Sequence, residues 1–100
     1  MIDWLRSRFV SLDLLAAYQF GSSLDPGRTP RDIDIALIAR DGAGEPGWLR
    51  TIGAVPELKS RFYETFQMPL SIMVLTPSEW MEVDGTIVLE KVSLLIQPPD

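Results

Sequence analysis

Apolar and polar residues follow two rhythms along this chain. The runs "LLAAYQF" (residues 14–20), "DIDIALIA" (32–39) and "LSIMVL" (70–75) are short, largely apolar and bounded by glycine, proline or serine, the pattern of buried strands. Between and around them the spacing turns helical. Asp3 can cap a short helix running to Phe9 or Val10, with Trp4, Leu5 and Phe9 as its buried face. After Trp48, Val55, Leu58, Phe62 and Phe66 predict a helix over residues 55–66, with Lys59, Arg61 and Glu64 on its outer surface. "TPSE" is a helix start, with Thr76 as cap, Pro77 at the first helical position and Glu79 three residues after the cap. The tail "GTIVLEKVSLLIQPPD" reads as a helix over residues 86–92 with an extended end, although "SLLIQ" also suits a strand. "LDPGRTPR" and "RDGAGEPG" are loops by their glycine and proline content.

This order of elements predicts one α+β domain over residues 1–100, a small mixed or antiparallel sheet with helices packed on one side. The first two strands can form a hairpin with a long connection. A chain of 100 residues has room for one core and buries about 60–70% of the surface that its unfolded form exposes. With 46% hydrophobic residues, a packed core is expected rather than disorder.

Charge and composition narrow the chemistry. Nine basic against fourteen acidic residues leave a net charge of −5, the wrong sign for general attraction to nucleic acid or an anionic membrane. Nucleic acid is therefore not the expected partner. The chain has neither cysteine nor histidine, which excludes disulfides, thiolate chemistry, imidazole proton transfer and sulfur- or imidazole-based metal sites. Any metal must be held by oxygen. "MIDWLRSRFV" interleaves acid and base, and nothing later approaches about 18 uncharged apolar residues, so the expectation is a soluble, cytoplasmic protein without a membrane segment.

The chemistry concentrates in "FGSSLDPGRTPRDIDIA", residues 20–36. On a strand, residues two apart share a face, so Asp32 and Asp34 project together while Ile33 and Ile35 point into the core. Adjacent carboxylates repel and resist desolvation. A divalent cation removes both costs, and Mg²⁺ is commonly held by one or two carboxylates together with substrate phosphates. Upstream, Gly21 and Ser22 form a turn at a strand end, where small residues let backbone N–H groups and a hydroxyl approach a phosphate.

The stretch "FGSSLDPGRTPRDIDIALI" resembles the signature of the minimal nucleotidyltransferases of the DNA polymerase beta superfamily: an aromatic-ended strand, Gly-Ser, a loop of about ten residues, then Asp-x-Asp in a second strand. The likeness is close over residues 14–38 and extends in element order to Glu79. It implies a triphosphate on Gly21, Ser22 and Ser23 and Mg²⁺ on Asp32 and Asp34. The implied reaction is transfer of a nucleoside monophosphate, AMP from ATP or another NTP, to a hydroxyl, with release of pyrophosphate. Small stand-alone members of that family often pair with a separate helical protein as the antitoxin of a bacterial toxin–antitoxin module. By size, too, an acceptor pocket here has to come from another chain, a helical partner or a second copy.

The family's third carboxylate, on the neighbouring strand, is matched here by Ser71, which cannot act as a base or a charged ligand. Glu64 and Glu79 are the acidic residues on flanking helices that could substitute. Three readings stay open at this point: a transferase with a two-aspartate site or another third ligand, a nucleotide- or partner-binding module with little catalysis, and a structural pair of aspartates in solvent matched by Arg28 and Arg31. Trp4, Trp48 and Trp80 are read as packing residues, as are Tyr18, Phe20, Met68 and Met73.

Overall fold

Four strands and three helices follow one another in a computed structural model that describes residues 1–24, 27, 31–86, 88 and 90–96, the side chains of residues 22, 23, 95 and 96 excepted. The order is α1 (Ile2–Val10), β1 (Leu14–Phe20), a 3₁₀ turn (Gly21–Leu24), β2 (Ile33–Ala39), α2 (Pro46–Phe66), β3 (Leu70–Leu75), α3 (Pro77–Val83) and β4 (Lys91–Ile96). The sheet order is β3-β2-β1-β4. β2 pairs antiparallel with β1 and parallel with β3, and β1 pairs antiparallel with β4, so the fold is α+β with a mixed sheet.

β2 lies inside the sheet and is buried along its length except at Asp34. Its alternation divides the molecule. Ile33, Ile35 and Leu37 join Leu5 and Phe9 of α1 and Leu58 and Phe62 of α2 in the main core. Ala36 and Ile38 face the other way, with Ala16, Tyr18, Phe20, Met73 and the α3 residue Trp80. The two longer helices thus cover one face, and α3 covers part of the other. In β1, a bulge between Leu14 and Ala16 lets both be buried although they enter opposite clusters.

Several elements depart from the sequence reading. Asp3 lies in the first turn of α1 rather than at its cap, which is Met1; a negative charge there suits the helix dipole. α2 starts nine residues before the expected Val55. Asp41 reaches forward to accept from the Gly47 and Trp48 N–H groups at 2.9 and 2.8 Å, and the buried Thr51 donates to the Gly47 carbonyl at 2.9 Å. Pro56 does not break the helix. The partner it fails to serve is the carbonyl of Ile52, a residue 39% exposed and open to water. None of the described residues between 86 and 92 is helical: Val88 bridges to Asp84, and Lys91 opens β4. Docking beside β1 gives this segment a backbone ladder and buries Leu94, to whose carbonyl Arg6 Nε donates at 3.0 Å. Ile87 and Leu89 lie outside the described residues. The α3 start forms as read, with Thr76 Oγ1 accepting from the Glu79 N–H at 3.2 Å and Glu79 Oε1 accepting from the Thr76 N–H at 2.9 Å.

Phe62 is fully buried between Trp4 and Phe66, with ring centroids 5.8 and 4.8 Å away. Phe62→Ala is expected to cost about 3–5 kcal/mol of stability through lost burial and the cavity left behind. A urea titration followed by far-UV circular dichroism measures it.

Candidate functional site

The C-terminal end of β1 and the N-terminal ends of β2, β3 and β4 meet at one end of the sheet. Register there aligns Ser71, Asp34, Phe20 and Lys91 in a single row across the four strands. Cross-strand partners share a face, so all four side chains project to the side away from α1 and α2. The next row carries Met73, Ala36, Tyr18 and Ser93. Trp80 stacks on Tyr18 at 4.9 Å with an interplanar angle of 10°. Lys91 Nζ lies 5.7 and 5.8 Å from those two rings and 2.6 Å from Asp84 Oδ1.

Asp32 stands one residue before β2, in a bend, so the strand alternation assumed for the pair covers Asp34 alone. The two carboxylates nonetheless act on each other. The Asp34 carboxyl is raised above its ordinary value, by burial first and by the negative charge of Asp32 second, while a hydrogen bond from Ser71 works in the opposite direction.

Gly21 ties the turn to the aspartates. Its φ of +82° is left-handed, and a Cβ placed on it would collide with Asp34 Oδ2, so both the backbone and the neighbouring carboxylate call for glycine. Two residues thirteen positions apart in sequence are thereby brought together. Ser22 and Ser23 follow in the 3₁₀ turn, whose leading N–H groups have no partner within it; their side chains are outside the described set.

The remaining candidates separate. Ser71 lies directly beside Asp34 in the β2–β3 register. Glu64 is exposed on α2, which packs on the opposite face of the sheet. Glu79 is held in its capping box beyond the far end of β3, about 16 Å along the strand from Ser71. Neither reaches the aspartates, and among the described residues no group of three acidic side chains gathers to hold a metal. Arg28 lies outside the described residues. Arg31 is exposed, and the ion pairs among the described residues, Arg40–Asp13, Arg61–Glu57 and Lys91–Asp84, leave Asp32 and Asp34 out. Lys91, in the same row and about 10 Å across the sheet from Asp34, carries no signal in the sequence pattern, because the helical spacing of residues 86–92 points away from a strand there. Alternation puts Tyr18 and Phe20 on one face of β1, but only the register joins that face to Asp34, and Trp80 comes from a separate helix.

Chemically, this is a pair of carboxylates with a glycine turn pressed against one of them, open to solvent on one side. Two oxygen donors of this kind fit one hard divalent cation, with the rest of its shell supplied by phosphate or water. No family model, curated protein or solved structure matches the chain.

Because Asp34 holds its proton more tightly folded than unfolded, its contribution to stability is fully present below about 3.8 and is lost as pH rises through the raised folded value. Asp34→Asn keeps the shape and removes the charge. In chelator, the variant is expected to melt above the wild type at pH 7 by at most about 2–4 °C, since solvent screening holds a partly exposed site to about 0.5 kcal/mol or less. That difference should vanish at pH 3, and differential scanning calorimetry at both pH values checks it.

Proposed function

We propose that this domain is a Mg²⁺-dependent protein of nucleotidyltransferase type that binds a nucleoside triphosphate, ATP or another NTP, at the end of β2. The observation that carries this reading is Gly21 seated on the carboxylate of Asp34 with Asp32 beside it. The nearness of Gly21 to Asp34 supports reading the Gly-Ser turn and the aspartates as one site. Burial and the charge of Asp32 also disfavour the ionised form of Asp34, with no described cation paired to it, which is the electrostatic condition that a divalent ion relieves.

In this reading Asp32 and Asp34 are the metal ligands, and the backbone at Gly21, Ser22 and Ser23 receives the phosphates. The cation would supply charge neutralisation at the triphosphate. The chain's own part is positioning: it holds the α-phosphorus in line between an acceptor hydroxyl oxygen, which forms the new P–O bond, and the departing pyrophosphate. The acceptor comes from a helical partner protein or a second copy, since the domain offers little enclosing structure of its own. An antitoxin role beside such a partner belongs to the same proposal.

Ser71 favours a second reading. It occupies the position next to Asp34 where the family's third carboxylate stands, and a hydroxyl neither ionises nor accepts the acceptor's proton at neutral pH. Absence of a positioned general base costs about 10²–10⁴ in rate. This reading is a nucleotide-binding module with weak transfer.

Calorimetric titration separates these cases. The wild type is expected to bind ATP only with Mg²⁺ present, and Asp32→Ala with Asp34→Ala should weaken binding at least about tenfold, or 1.4 kcal/mol. Absence of metal-dependent binding in the wild type would overturn both readings. Transfer of labelled AMP to a co-purified protein selects the transferase, whereas binding without transfer selects the module. Ser71→Asp should tighten Mg²⁺ binding and raise any transfer rate.

A further inference from the structure

β3 forms one edge of the sheet, and its sequence lacks the usual protections of an edge. "LSIMVL" contains no charge, proline, glycine or bulge, and residues 72–75 are only partly buried. The opposite edge, β4, carries Lys91. Natural edges are normally blunted by such charges, because an open row of N–H and C=O groups pairs readily with another strand.

The open groups can be identified. Ile33 donates to the Pro69 carbonyl at 3.1 Å, so in the parallel register Pro69, Ser71 and Met73 turn their backbone groups toward β2. Leu70, Ile72 and Val74 turn theirs outward, and among the described residues nothing pairs with them.

A second feature lies on the same edge. One flank of α2 faces α1, lining a groove through Ala54, Glu57 and Arg61. The opposite flank overhangs β3, where Lys59 and Tyr63 line a groove with Pro69 and Leu70. Toward that outer side α2 exposes Ile52 (39%), Pro56, Lys59 and Tyr63 (52%), with Leu49 beside them (54%). A helix flank that is apolar except at Lys59 and an uncharged strand edge therefore lie side by side in two layers.

We propose that this surface is a homodimer interface in which β3 pairs antiparallel with β3 of a second copy about a two-fold axis at Ile72, making an eight-stranded sheet with the two α2 helices side by side above it. The register follows from the backbone. Pairing must join outward-facing residues, and centring on Ile72 matches Ile72 with the partner's Ile72 and Leu70 with the partner's Val74, using all three. Centring on Met73 would bring in Thr76, whose N–H and carbonyl are already bonded to Glu79 and Trp80. The surface is self-complementary under one operation: uncharged strand meets uncharged strand, and Ile52, Pro56 and Tyr63 of one α2 meet the same residues of the other, with Lys59 long enough to carry its ammonium out to solvent. An edge about 25 Å long and two layers high covers about 550 Å² per copy, or about 1,100 Å² for the pair, above the roughly 1,000 Å² that a specific interface needs.

Sedimentation equilibrium of the full chain is expected to show a dimer at about 100 µM, and Ile52→Glu with Tyr63→Glu to weaken it at least about tenfold. Both positions are exposed, so the variant should keep the wild-type circular dichroism. A monomeric wild type at that concentration would overturn the interface, as would a dimer that the double variant leaves intact. The register has its own test, because the chain has no cysteine. Ser71 stands opposite the partner's Met73 in a non-hydrogen-bonded pair, about 4.5 Å between Cα atoms and within disulfide range, whereas like positions are about 8 Å apart. An oxidised mixture of Ser71→Cys and Met73→Cys chains should therefore give mainly the mixed crosslink. A statistical mixture of the three products would overturn the arrangement.

Discussion

The burial of β2 is the constraint on which the other features depend. It is paired on both sides over residues 34–38, and all of its side chains but Asp34 are buried. Its alternation fixes which residues face α1 and α2 and which face the other way. A charged residue in such a strand is tolerable only at its end and only on the less covered face, and Asp34 is at that place. The rest of the site is arranged around it: β1 must end at Phe20 so that Gly21 can turn beneath the carboxylate, and β3 must run parallel to bring Ser71 alongside.

Much of this was legible because it is local. β1 and β3 have the bounds that their apolar runs suggest, and α3 carries its capping box within four residues, Thr76 to Glu79. The features that escaped depend on distant residues. The start of α2 is held by Asp41, which precedes the helix, and Pro56 is tolerated because of where it lies on the finished surface. The tail contains enough aliphatic residues for either structure, and the open side of β1 decides in favour of a strand. Asp32 falls just outside the strand because β2 begins one residue later than the pattern suggests.

The candidate site shows the same division. Asp-x-Asp after a loop is visible in sequence, and so is the serine in the third strand. What sequence cannot express is that Gly21 and Asp34 touch, or that Glu64 and Glu79 are carried away by the helices that hold them. Both follow from topology. A βαβ-like crossover places α2 on the far face, and α3 begins at the end of β3 opposite the site. Among the described residues, neither helix brings a third carboxylate to Asp32 and Asp34.

Ser71 links the two surfaces proposed above. An ionised residue at that position would serve as a third ligand, and it would also put a charge on the edge strand, the commonest device against edge-to-edge pairing. Serine removes both at once, leaving "LSIMVL" wholly uncharged. On the two proposals, a weakened metal site and an edge open to a second copy are two consequences of one residue. The metal reading depends on the charge of Asp32 and Asp34, whereas the pairing depends on backbone groups of Leu70, Ile72 and Val74 that never face the site. Each surface can therefore fail without the other.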